Sequence, residues 1–207
     1  GLKYLLTKRN IMDFDLLFHD FPEQILPYDY EAYFNNPTRY LMVTTNCLTG
    51  QANYLEEKRD KNRVIDIVRA SSSLPFVCPI VRVDGIPMLD GGIVDSIPLM
   101  RAQADGCTRN VVVLTRNYGY RKKIQGTRVP SFIYKKYPLL QQAINQRSVV
   151  YNEQLSMVEQ QEKAGEVVVI RPEQPMQVDR IERDVNKLTA LYDEGYRCGM
   201  EVEITMS

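Results

Sequence analysis

Two short apolar runs separated by Asp84-Gly85 constrain this chain more than any other feature. Pro79-Ile80-Val81-Arg82-Val83 is strand-like, and Ile86-Pro87-Met88-Leu89 returns after the pair. An Asp-Gly pair between such runs takes the positive φ angles of a two-residue hairpin turn, so the strands must lie side by side. The return strand delivers the chain directly into Asp90-Gly91-Gly92. An acid at a strand end, followed by residues without side chains, suits a site residue. Adjacent glycines also permit positive φ and close approach by another loop. On these three residues alone, a tight turn is the commoner reading of glycine-rich punctuation.

Other elements surround the hairpin. Tyr40 to Thr45 is an apolar run, β-branched at its end. After a turn from Asn46 to Gly50, Gln51 to Leu55 forms a second strand candidate. Val64, Ile65, Val68 and Ala70 fit the buried face of a helix that starts near Asp60 or Asn62 and is halted by Pro75. Ile97-Pro98 opens a helix that ends near Asp105-Gly106. Val111 to Leu114 is wholly apolar, as expected of a central strand covered on both faces. Leu140, Ile144, Tyr151, Leu155 and Val158 keep helical spacing over residues 139–163, with Gly165 as the stop. Val167 to Ile170 is a further buried strand. Asp179-x-x-Glu182 has capping-box spacing, and Ile181, Val185, Leu188 and Tyr192 share one helical face. Near the start, Asp13 or Asp15 opens a short helix, and Phe21 to Tyr33 reads as an irregular packed connection. Strands alternating with helices predict an α/β fold, with a mainly parallel central sheet flanked by helices.

Composition narrows the functional classes. Apolar residues at 44% and charged residues at 25% of 207 are ordinary for a soluble globular chain. No apolar run is long enough for a transmembrane helix. Cys47, Cys78, Cys107 and Cys198 are scattered, and His19 is the only histidine. Zinc ligation is disfavoured, so no metal is expected, and the cysteines read as free thiols of a cytoplasmic protein. The net charge of zero hides a segregation. Residues 106–152 carry nine basic side chains and no acidic one, whereas 12 acidic and six basic residues follow. Within that basic middle, Arg116, Arg121, Lys122, Lys123, Arg128, Lys135 and Lys136 are interleaved with tyrosines and Phe132. Cations among aromatics suit an anionic lipid surface, with Arg121, Lys122 and Lys123 as candidate membrane contacts. The pattern by itself suits nucleic acid equally, or a solvated face balanced by the acidic C-terminal helix.

A resemblance adds to this reading. The residues from Val43-Thr44-Thr45-Asn46-Cys47-Leu48-Thr49-Gly50 through Arg69-Ala70-Ser71-Ser72-Ser73-Leu74-Pro75 resemble the patatin-like phospholipase family. So do Val83-Asp84-Gly85-Ile86-Pro87-Met88-Leu89, the Asp90-Gly91-Gly92 motif, Ile97-Pro98-Leu99 and Ala102-x-x-x-Gly106, in that order and spacing. The flanks, including Asp13-x-Asp15 and Pro27-Tyr28-Asp29-Tyr30, look like a bacterial subgroup of patatin-like proteins.

The resemblance implies a lipid acyl hydrolase, a phospholipase or esterase, that uses a Ser-Asp dyad without histidine or organic cofactor. Asp90 stands at the position of the dyad acid, and Gly91 and Gly92 shape its loop. A carboxylate beside a serine hydroxyl can orient it and accept its proton, while backbone N–H groups hold the oxyanion. The family's serine lies in Gly-x-Ser-x-Gly, which this chain lacks. Its only glycines four apart are Gly195 and Gly199, with Arg197 between them. The chain therefore reads as the portion C-terminal to the nucleophile elbow, incomplete at its N-terminal side, with residues 139–207 as a helix-strand-helix extension. The expected partners are a lipid or acyl-ester substrate, possession of the serine by an upstream segment or cover from oligomer contacts, and a peripheral membrane, but no nucleic acid. The competing expectation is a non-catalytic membrane- or protein-interaction module that retains the fold. Asp95 is the second-choice acid; His19 and Ser71, Ser72 and Ser73 read as structural.

Overall fold

The computed structural model describes residues 13–124, 129–130, 132–178 and 182–202. Residues 1–12, Arg128, Asp179 and Ile181, on which some sequence expectations rest, lie outside these. The chain divides into two compact units. One comprises Gly1–Ser96 with Gln125–Val150, and the other Ile97–Ile124 with Tyr151–Ser207.

The first unit opens with α1 (Leu16–Ile25), a π-wound helix that contains Pro22. The Leu16 N–H donates to Asp13 Oδ1 at 3.2 Å, so Asp13 provides the acid at the helix start. The stretch expected to be irregular instead contains α2 (Tyr30–Asn35). Asp29 caps it by accepting from the Ala32 N–H at 2.8 Å, a local bond that favours helix despite Pro27. β1 (Met42–Asn46), β2 (Ala52–Leu55), β3 (Val81–Val83) and β4 (Ile86–Asp90) form one sheet in the order β2-β1-β4-β3. α3 (Lys61–Ser71) starts where Asp60 accepts from the Asn62 and Arg63 N–H groups.

Every pairing in this sheet is antiparallel, which corrects the expectation of a mainly parallel central sheet. For two of the three pairings the reason lies in the connections: β1–β2 and β3–β4 are joined by turns too short for the crossover that parallel neighbours need. Asp84 at φ 52° and Gly85 at φ 77° make the tight turn expected of Asp-Gly. Alternation along β4 sends Met88 and Leu89 to opposite faces. Met88 joins Met42, Ile67, Ala70, Val81 and Val83 beneath α3. Leu89 joins Cys47, Ile93, Leu140 and Ile144 on the other face, together with Val129. Leu140 and Ile144 come from α5 (Pro138–Lys163), whose first half belongs to this unit. The sheet is thus covered by a helix on each face, and each fully buried Leu or Ile contributes roughly 2 kcal/mol. Gly50 at φ 67° lets the β1–β2 turn meet α5: a Cβ there would lie 2.6 Å from the Leu139 carbonyl oxygen.

The second unit holds α4 (Leu99–Ala104), β5 (Asn110–Val113), β6 (Val167–Ile170) and α6 (Val185–Glu201). Here β5 and β6 are parallel, with α5 in the connection between them. Val112, Leu114 and Val167 are buried with Leu99, Leu155 and Val158. Val111 is 44% and Val113 70% exposed, so β5 is covered on one face and is not the two-sided central strand its apolar run suggested. Gly165 at φ 74° ends α5 as expected. The cap of α6 is Asp184, which accepts from the Asn186 N–H at 2.9 Å.

Candidate functional site

Asp90 is the last residue of β4, half-buried, and its position is set from several sides. Its N–H donates to the Ser73 carbonyl at 2.9 Å, and its own carbonyl accepts from the buried Thr45 hydroxyl at 2.7 Å. Its carboxylate accepts from the Gly92 N–H at 2.6 Å, which fixes the orientation of the acid relative to the strand end.

The two glycines serve this arrangement by space. Neither is among the positive-φ glycines, so the conformational freedom expected of them is not used. A Cβ on Gly91 would sit 2.3 Å from the Val43 carbonyl oxygen and 2.7 Å from the Val43 Cβ. Gly91 is therefore needed for contact with strand β1, a closer approach than side chains allow. A Cβ on Gly92 would lie 3.0 Å from Asp90 Oδ1, 3.5 Å from Ser96 Oγ and 3.7 Å from an Arg147 terminal nitrogen. Gly92 thus leaves open a small space bounded by the acid, a hydroxyl and a guanidinium.

Arg147 and Ser96 complete the loop. Arg147 Nε and Ser96 Oγ both donate to the Gly92 carbonyl, each at 2.8 Å. Gly92 is thereby held at both ends, its N–H on Asp90 and its C=O on Arg147 and Ser96. Sequence reasoning missed Arg147. The signal was present: it is the only charged residue from Pro138 to Asn152, on a helix with a buried apolar face.

The other candidates are engaged elsewhere. Asp95 Oδ2 accepts from the Tyr54 hydroxyl at 2.5 Å. Ser71 Oγ donates to the Val43 carbonyl and Ser73 Oγ to the Arg69 carbonyl, so both hydroxyls tie the α3 end to its surroundings. His19 is 63% exposed beside Asp20. Cys47 is fully buried, and burial pushes its thiol up to about 12, which leaves it protonated at neutral pH. A recess of about 750 Å³ among Phe18, Tyr28, Tyr30, Tyr33 and Tyr40 lies at α1, α2 and α3. Asp90, Gly91 and Gly92 are not part of its lining.

Two of the three proposed membrane cations have partners within the second unit. Arg121 forks onto Glu159, with nitrogen–oxygen distances of 3.0 and 2.6 Å, and holds that carboxyl below its ordinary range. Lys122 Nζ lies 3.5 Å from the Tyr151 ring centroid. Arg116 stacks on Tyr120 and Arg171 on Tyr118, so cations and tyrosines alternate here to pair with each other. Lys123 is exposed. Among the described residues no cluster of histidine, cysteine and carboxylate could hold a metal, and no helix is long and apolar enough to cross a membrane.

The patatin-like phospholipase family matches residues 4–102, the stretch that contains β1, α3, the hairpin and Asp90-Gly91-Gly92. The N-terminal part of this chain is similar to that family. A second family, a domain of unknown function (DUF6363), matches residues 137–204, so Arg147 lies in a different family segment from the patatin-like loop it holds. A stretch of 56 residues is 43% identical to the uncharacterized protein YjjU of Escherichia coli (strain K12). That stretch covers 27% of this chain and 16% of YjjU.

Proposed function

We propose that this patatin-like chain supplies the acid of a Ser-Asp dyad that hydrolyses acyl esters of lipids, with Asp90 as that acid. The observation that carries the reading is the Gly92 clamp: the carboxylate sits at a strand end with its orientation fixed by a 2.6 Å backbone bond. An acid held in this way can orient a serine hydroxyl and take its proton without first losing rotamer freedom. Gly91 keeps the loop against β1, and Arg147 and Ser96 keep Gly92 where its N–H meets the acid. The serine would come from a Gly-x-Ser-x-Gly segment outside these 207 residues, since none occurs within them. Phospholipids are the substrate class that the family description suggests.

Labelling with a fluorophosphonate probe tests the proposal, because such probes react with activated serines. The 207-residue chain should remain unlabelled, whereas a longer chain that includes the elbow should be labelled and protected by excess acyl ester. Labelling of the 207-residue chain would contradict the assignment of the nucleophile to another segment.

A second, non-catalytic role is favoured for the segment matching the domain of unknown function by one observation. α6 exposes most of its large apolar side chains.

A further inference from the structure

Arg147 is a half-buried cation whose only hydrogen bond among the described residues runs from Nε to the Gly92 carbonyl, at 2.8 Å. Its two terminal nitrogens therefore keep donors to spare. Other arginines of the chain are answered by carboxylates: Arg63 by Glu57 and Asp84, Arg101 by Asp105, Arg121 by Glu159. The helix that carries Arg147 offers none. No acidic residue occurs from Gly106 to Asn152, and the positions three and four away are Ala143, Ile144, Val150 and Tyr151. Partial desolvation of a guanidinium without a counter-ion is unfavourable, and an anionic ligand supplies what the fold does not. The location is specific. One terminal nitrogen of Arg147 lies 3.7 Å from the point a Gly92 Cβ would occupy, and Asp90 Oδ1 lies 3.0 Å from the same point. Asp90 accepts the Gly92 N–H there, and no ion pair joins it to Arg147. Acid and cation thus border one small space within the first compact unit.

Resting on the Ser-Asp reading above, we propose that Arg147 binds the phosphate of the substrate headgroup and so selects glycerophospholipids over uncharged acyl esters. The Nε–H stays on the Gly92 carbonyl, and the terminal N–H groups donate to the phosphate oxygens. In a glycerophospholipid an acyl ester and the phosphate stand on adjacent glycerol carbons. A serine activated by Asp90 and a guanidinium bordering the same space therefore engage both groups of one substrate. Gly92 serves this pairing too, because a side chain there would occupy the space between acid and cation. The specificity residue then comes from the segment that matches the domain of unknown function, and the acid from the patatin-like one.

Two experiments test this separately from the dyad. In the first, the isotope-labelled 207-residue chain is titrated with glycerophosphocholine, inorganic phosphate or glycerol over roughly 0.1–30 mM, and the Gly92 amide resonance is followed. Glycerophosphocholine should shift it saturably, inorganic phosphate should compete, glycerol should do nothing, and Arg147→Met should abolish the response. No shift with the parent chain overturns the proposal, and a shift with inorganic phosphate alone overturns the headgroup assignment. In the second, the longer chain that includes the elbow is assayed on p-nitrophenyl butyrate and on dibutyryl phosphatidylcholine. Loss of loop support in Arg147→Met lowers both rates alike, so the ratio of the two kcat/KM values isolates the headgroup contact. That ratio should fall about tenfold or more against the phospholipid, chiefly through KM. An unchanged ratio overturns the proposal. If the parent longer chain hydrolyses neither ester, the dyad reading fails, and the Gly92 titration still decides whether Arg147 binds phosphate.

Discussion

Substitution of Gly91 by alanine isolates the steric demand at the candidate site. The added methyl would lie 2.3 Å from the Val43 oxygen, 2.6 Å from its carbonyl carbon and 2.7 Å from its Cβ. Those atoms belong to a strand paired on both sides, so they cannot move as a flexible side chain would. Overpacking of this kind typically costs about 1–3 kcal/mol, and contact with strand backbone places Gly91→Ala near 3 kcal/mol. Gly92→Ala differs, because its nearest neighbours are the ends of Asp90, Ser96 and Arg147. Its loss should stay below about 1 kcal/mol while the Asp90 carboxylate is displaced. Urea denaturation followed by circular dichroism measures both. If Gly91→Ala is as stable as the parent, or if Gly92→Ala is the more damaging, the packing argument is refuted.

Other perturbations probe separate parts of the structure. Leu89 is fully buried beneath α5, so Leu89→Ala should cost about 3 kcal/mol by urea denaturation, and a loss under 1 kcal/mol would contradict that burial. Burial opposes the charge on Glu57, but the Asp60, Arg59 and Lys58 N–H groups and the Arg63 guanidinium outweigh it and bring its carboxyl to about 2. Its contribution is therefore present above the ordinary carboxylate range and is lost as pH falls toward 2. Glu57→Gln should flatten the acid limb of the stability–pH curve, and superimposable limbs would refute this assignment. Arg147→Met should speed hydrogen exchange of the Gly92 amide by roughly tenfold, and unchanged exchange would show that the guanidinium does not hold the loop.

Local chemistry was legible where it acts over a few residues. Asp60 announced α3, Asp84-Gly85 the hairpin, and Gly165 the end of α5. Direction was harder, since Val167 to Ile170 and Met42 to Asn46 are both short strands, yet one is parallel to its neighbour and the other antiparallel. A short turn fixes the antiparallel β1–β2 pair, but a long connection does not reveal which strand it returns to or in which direction. The site shows the same division. Asp90 could be found from its motif, and Gly91 and Gly92 beside it, but their reason was tertiary: contact with Val43, 48 residues upstream of Gly91. Arg147 lies 55 residues beyond Gly92, in another family segment, and only folding brings its guanidinium to that carbonyl. Arg121 and Lys122 read as open cations because Glu159 and Tyr151 are distant in sequence.

Hydrolysis of p-nitrophenyl butyrate by a chain that joins the Gly-x-Ser-x-Gly segment to these residues, with and without Asp90→Asn, tests the dyad most directly. The account predicts turnover that falls by roughly 10²–10⁴-fold in Asp90→Asn with KM little changed, and none from the 207-residue chain alone. Full activity in Asp90→Asn, or Asp90-dependent hydrolysis by the 207 residues alone, would contradict it.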